Sequence, residues 1–107
     1  MPFCDAWERA THFAKHGHEF AAVDAMEYER IADDFIFGPR DAVTHECTRP
    51  SGHERLRFDF VIRYFGVARV VPAPECVKTF YVVKGSTVAH HGGAQGYFQY
   101  ECGRINV

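Results

Sequence analysis

The chain has 107 residues, of which 47% are hydrophobic and 15% aromatic, and a formal charge of -2. That length suits one domain and leaves no room for two, and ten Phe, five Tyr and one Trp can fill a core, which excludes a disordered chain. The acidic balance also excludes a protein that simply coats nucleic acid, but not an enzyme that grips one or two phosphates locally.

The first residues, Met1-Pro2-Phe3-Cys4-Asp5, have neither a basic start nor an apolar stretch. The expectation is a free-standing protein without a secretory signal of its own. No apolar run is long enough to cross a bilayer, so no membrane partner is expected. The seven His add positive charge below about pH 6.5. Four Cys stand at 4, 47, 76 and 102 without any Cys-x-x-Cys pair, and they permit three disulfide pairings. The reading taken is reduced thiols that pack as small apolar residues in a cytoplasmic fold.

The first helix is predicted over Ala6–His16. Asp5 is its N-cap, Glu8 completes a capping box, and Gly17 is expected to stop it in the left-handed conformation. Trp7, Ala10, Phe13 and Ala14 form the expected buried stripe, with Thr11, His12, Lys15 and His16 elsewhere on the surface. Asp24 caps a second helix, and Glu27 completes its capping box. Tyr28, Ile31, Ala32, Phe35 and Ile36 have amphipathic spacing, and Gly38-Pro39 ends the helix.

The pattern then turns to strands. Ala42–Thr48 is a short candidate, and Arg49–His53 has turn chemistry. In 55–60, Leu56, Phe58 and Phe60 alternate with Arg55, Arg57 and Asp59, which gives one apolar and one charged face. Tyr64–Val71 is a third strand, broken by Pro72-Ala73-Pro74. Val77–Val83 is a fourth, well buried by its β-branched and aromatic content. Gly85, Gly92 and Gly93 mark a loose connection. A short last helix over Ala94–Cys102 buries Tyr97 and Phe98. Helices first and strands second predict an α+β domain: two N-terminal helices on one face of an antiparallel sheet of about four strands, with a short C-terminal helix.

His12 and His16 are four apart on the first helix, so their side chains share a face about 5–6 Å apart at Cβ. His18 follows. Three readings stand: acid–base catalysis near neutral pH, a metal site, or solvated surface. The metal reading lacks the intervening Glu of a His-Glu-x-x-His pattern, and Lys15 beside the pair repels a cation. Arg55 and Arg57 read either as a solvated face or as a phosphate clamp. Thr79 and Tyr81 share a strand face beside Lys78, where hydroxyls either orient a phosphate or satisfy local hydrogen bonds. No Gly-rich phosphate loop and no nucleophile elbow is present.

The segment Thr11-His12-Phe13-Ala14-Lys15-His16-Gly17-His18-Glu19-Phe20 resembles a His-Phe-x-Lys-His-Gly-x-Glu-Phe segment. That segment is found in C-terminal domains of polymorphic and contact-dependent inhibition toxins and in pyocin-large-subunit-like proteins. Tyr28–Phe35, Arg57-Phe58-Asp59, Tyr64–Val67, Lys78–Tyr81 and Tyr97-Phe98 are similar to the family's later motifs. The resemblance spans about residues 11 to 102 and points to the barnase–EndoU–colicin–RelE-like nuclease group. Three stretches depart from the pattern: Phe20-Ala21, the link 60–64, and the loop 85–93.

The resemblance implies a helical N-terminal part on a four-stranded antiparallel sheet. It also implies metal-independent RNA cleavage, often of tRNA, without a cofactor, acting in the cytoplasm after delivery by a secretion system. An immunity protein is the implied partner. Carried over position by position, His12 and His16 match the helix histidines, Arg57 the strand arginine, and Thr79 and Tyr81 the late-strand hydroxyls. These five are the expected catalytic residues, with Lys15, His18, Arg55 and Lys78 as substrate-binding neighbours and no metal. The rival expectation is a non-catalytic protein-binding module on the same fold, which grips its partner through the acidic second helix and exposed aromatics. A zinc-stabilised domain is a third.

Overall fold

The computed structural model describes residues 2–105. Its order is α1 (Ala6–His16), α2 (Ala25–Phe37), β1 (Thr44–Thr48), β2 (Glu54–Asp59), β3 (Tyr64–Arg69), β4 (Cys76–Val82), α3 (Gly85–His90) and α4 (Ala94–Cys102). The strands form an antiparallel meander in the order β1-β2-β3-β4. The fold is the α+β arrangement that segregated helices and strands dictate.

Both predicted caps form. Asp5 Oδ1 accepts from the Glu8 amide at 2.7 Å, and Asp24 Oδ1 from the Glu27 amide at 2.8 Å. α2 buries Tyr28, Ala32 and Ile36, as its periodicity dictates. The end of α1 differs from expectation. Gly17 stays right-handed at φ -56°, and the chain runs on as a 3-10 turn, Gly17–Phe20, before Ala21 takes φ 54°. Gly17 is small for another reason: a Cβ there would lie 2.5 Å from the Phe13 ring.

The two N-terminal helices share one face, as expected, and α4 takes the other, because side chains alternate across the sheet. Ile36, Ala32 and Tyr28 of α2 pack on Ala68 and Phe80. Leu56, Phe58, Phe65 and Val67 point the opposite way and pack on Tyr97 and Phe98 of α4. The predicted loose connection holds α3, a further departure.

Beneath α2, Gly66 lets the helix approach closely; an added Cβ would lie 2.5 Å from Ile36 Cγ1. Gly66→Ala should lower the unfolding free energy by about 1–3 kcal/mol through overpacking. The urea midpoint reads this directly, and an unchanged midpoint would mean that α2 yields at no cost.

The charged face of β2 is not solvated. Arg57 Nη1 donates to the carbonyls of Phe35 at 3.0 Å and Gly38 at 2.5 Å, and its Nε donates to Glu46 at 2.7 Å. Arg55 Nη2 donates to the Ile36 carbonyl at 3.2 Å. A helix ends with unpaired carbonyls and a partial negative charge, and these two guanidiniums satisfy both.

The four Cys are not thiols. Cys4 bonds to Cys76 and Cys47 to Cys102. The first bridge ties residues 2–4 alongside β4, where Cys4 N donates to Val77 O at 3.0 Å and Val77 N to Pro2 O at 2.9 Å. The second ties α4 to β1. Among the described residues, no helix is long and apolar enough to cross a membrane.

Candidate active site

α1 lies against the edge strand β4, and of the expected buried stripe only Phe13 packs on the core. Trp7, Ala10 and Ala14 face solvent, with Trp7 77% exposed. The half-buried side carries His12, Phe13 and His16. The two histidines therefore face the sheet edge, but they do different things there.

His16 is held at one nitrogen. Its Nδ1 lies 2.7 Å from Glu19 Oε2, while Glu19 Oε1 accepts from the Val82 amide at 2.7 Å. A carboxylate only accepts, so Nδ1 carries the proton, and Nε2 of the neutral ring is left as an acceptor. The 3-10 turn makes this possible by carrying Glu19 back over the end of β4. The His16 ring stacks on Tyr81 with centroids 5.3 Å apart.

His12 sits behind His16, with ring centroids 6.2 Å apart, and on its other side Phe3 stacks at 5.7 Å. Its Nε2 is 3.2 Å from Glu8, and its Nδ1 is buried without a partner. Burial lowers its pKa below the usual 6.5; Glu8 opposes the shift, and His16 and Lys15 reinforce it. The sign follows from linkage. As pH falls through about 6.5, the unfolded chain takes up the proton before the folded one, so stability is lost toward acid. Urea midpoints of His12→Gln should fall less between about pH 7 and about pH 5 than those of the unaltered protein. Equal losses in both proteins would assign the acid limb to another group.

A groove of about 630 Å³ opens beside His16, lined by His18, Glu19, Arg63, Tyr81 and Lys84, with Tyr97 at its base. Arg63 enters it from the β2–β3 turn with φ 65°, and its Nε donates to Val83 O at 2.8 Å. The Tyr81 hydroxyl lies 3.4 Å from that of Tyr97, which donates to Glu101 at 3.0 Å. Burial raises the pKa of both phenols; Glu101 adds to this, and their mutual hydrogen bond raises Tyr97 but eases Tyr81 down. Both hydroxyls stay protonated donors.

The remaining predicted site residues are dispersed. Arg57 and Arg55 sit under the end of α2, on β2, two strand spacings or roughly 10 Å from β4. They are committed to carbonyls and Glu46. Lys15 is exposed on the outer side of α1. Thr79 and Lys78 line a neighbouring depression that shares Tyr81 with the groove. Lys78 is ion-paired to Glu54. Burial works to raise the Glu54 pKa, but Lys78 and Arg49 hold the carboxyl below its usual value.

The structure thus brings His16, His18 and Tyr81 together and leaves Arg57 apart. Sequence reasoning missed Glu19, Arg63, Lys84 and Tyr97. Glu19 lay within the segment that carries the family resemblance. Asp59 was the signal for Arg63: its Oδ1 accepts from Val61 at 2.8 Å and Ile62 at 2.9 Å, the side-chain turn that an Asp initiates.

The arrangement offers an oriented imidazole, a second imidazole, two cations and two phenols around one opening. Among the described residues, no group of three His, Cys, Asp or Glu is placed to hold a metal ion. No family model, curated protein or solved structure matches this chain.

Proposed function

We propose that the domain is a toxin-type endoribonuclease that cleaves RNA by transphosphorylation in the His16 groove. The observation that carries this reading is the pairing of His16 Nδ1 with Glu19, which leaves Nε2 as the unpaired nitrogen of a ring that lines one opening with Arg63 and Lys84.

The chemistry runs through these residues. Nε2 of His16 takes the proton of a ribose 2′-OH, and that oxygen attacks the adjacent phosphorus. The bond to the 5′ oxygen breaks, and that oxygen takes a proton from His18 in its imidazolium form. Arg63 and Lys84 balance the charge that builds on the phosphate, in the role the resemblance implied for Arg57. Tyr81 donates a hydrogen bond to it. The product ends in a 2′,3′-cyclic phosphate. The nucleophile is internal to the substrate, so this route uses no metal. His12 acts as a positioning residue behind His16.

The family resemblance adds tRNA as the first RNA to try, an immunity protein as partner, and the cytoplasm of a target cell as the place of action. The two disulfides suit a domain that passes through an oxidising compartment on the way. The test is incubation with total bacterial RNA in EDTA, followed by analysis of the new ends. Cyclic phosphate ends are expected.

Intact RNA would favour the binding-module reading, which has an observation of its own. Trp7 is 77% exposed, Met26 60% and Val23 80%, large apolar side chains on α1, on α2 and on the segment between them.

A further inference from the structure

We propose that the sheet face alongside β4 carries a second phosphate-binding position, where Lys78, Arg69 and His53 hold the backbone of a single-stranded RNA that extends from the His16 groove. This rests on the ribonuclease reading and names the form of its substrate.

Three depressions adjoin one another along β4. The His16 groove shares Tyr81 with a depression of about 270 Å³ that contains Thr79, Lys78 and Arg104. That depression shares Lys78 and Glu54 with a third, of about 350 Å³, lined by Ser51, His53 and Arg69. Tyr81 and Lys78 are three residues apart, roughly 10 Å along a strand. One phosphate does not reach both, whereas a polymer does.

The charges along this path favour a polyanion. Its acids lie underneath: Glu54 is 5% and Glu101 3% exposed, and Arg49 bridges them at 3.0 and 2.8 Å. The cations lie on top: the side chains of Lys78 and Arg104 are 46% and 48% exposed. Arg69 has no counterion, and its buried Nε has no partner among the described residues. That Nε lies out of a solvent ligand's reach, and it is the rest of the Arg69 guanidinium, which lines the third depression, that a phosphate meets. On the far side of Lys78 and Arg69, Cys4, Asp5 and Glu8 line an acidic depression. The strand is therefore steered toward His53. The path runs along β4 on the sheet face that carries Phe65 and Val67 and suits one nucleic-acid backbone; a duplex would need contacts to two strands across a groove.

The experiment measures binding without chemistry. Fluorescent 2′-O-methyl RNAs of about two and about ten nucleotides are titrated against the full chain over a range of salt. The longer RNA should bind more tightly. Lys78→Gln and Arg69→Gln should each weaken it and reduce its salt slope by about 0.7 per lost phosphate contact. Binding of the short RNA should not change, and Lys78→Arg should retain the affinity that Lys78→Gln loses. Among the described residues Arg69→Gln breaks no side-chain hydrogen bond or ion pair, so it keeps the test decisive if Lys78→Gln unfolds. Equal binding of both lengths, long-RNA binding unchanged in Arg69→Gln, or a duplex that competes as well as a single strand would each overturn the proposal. Length-dependent binding by a chain that cuts no RNA would leave this proposal standing and remove the cleavage reading.

Discussion

Replacing His16 with alanine should reduce RNA cleavage by about 10²–10⁴-fold, the usual worth of a positioned acid–base group. The fold should survive, because the His16 ring is half-buried and its hydrogen bond is to a half-buried Glu19. Glu19→Gln should lower the rate less. It preserves the shape but lets Nδ1 lose its donor role, so part of the imidazole population adopts the wrong tautomer. His12→Ala should reduce the rate less than His16→Ala, because His12 reaches no groove-lining position. Initial rates on a labelled RNA in EDTA measure all three. Equal losses in His12→Ala and His16→Ala would contradict the assignment of separate roles.

Reducing both disulfides should cost the domain much of its stability without unfolding all of it, because the proposed place of action is a reducing cytoplasm. Cys4–Cys76 and Cys47–Cys102 close separations of 72 and 55 residues. By the chain-entropy argument, loops of that size are each worth about 4 kcal/mol, and small domains have about 5–15 kcal/mol in total. The two contributions act on different parts of the molecule. Cys4–Cys76 fixes the segment that leads into α1, and therefore the approach of His16 to β4. Cys47–Cys102 holds α4, and with it Tyr97, against the sheet. Removing the first pair alone, as Cys4→Ala with Cys76→Ala, should therefore depress activity more than the second at equal folded fraction. Thermal unfolding with and without dithiothreitol checks the stability claim. Identical midpoints would show that the bridges contribute nothing.

The elements of this fold were legible wherever local chemistry sets them. Asp5 with Glu8 and Asp24 with Glu27 announce helix starts, and the structure makes both hydrogen bonds. Alternation across 55–60 announces a strand, and Leu56 and Phe58 are indeed buried. The faces were less legible. Trp7, Ala10 and Ala14 have the spacing of a buried stripe, yet the tie from Cys4 to Cys76 and the stacking of Phe3 on His12 set the rotation of α1. The first spans 72 residues and the second joins α1 to the segment before it, and no helical period encodes either. Arg57 was misplaced for a related reason. A charged strand face reads as solvated or as a clamp for phosphate, and here it is a clamp for the carbonyls that end α2.

The candidate site was half legible. His16, His18 and Tyr81 were singled out by residue type and spacing, and they line one groove. Arg63 and Lys84 were not. Arg63 depends on a turn whose geometry comes from Asp59, and Lys84 on where β4 ends. Glu19 acts only because α1 continues as a 3-10 turn, which a glycine at 17 seemed to forbid.

The most direct test of the central claim compares two substrates in EDTA: an RNA that the protein cuts, and the same RNA with a 2′-deoxy sugar at the cleaved position. The account predicts cleavage of the first to a 2′,3′-cyclic phosphate and an intact second strand. Equal cleavage of both would show that the 2′-OH is not the nucleophile, and His16 would lose the proton it is proposed to take.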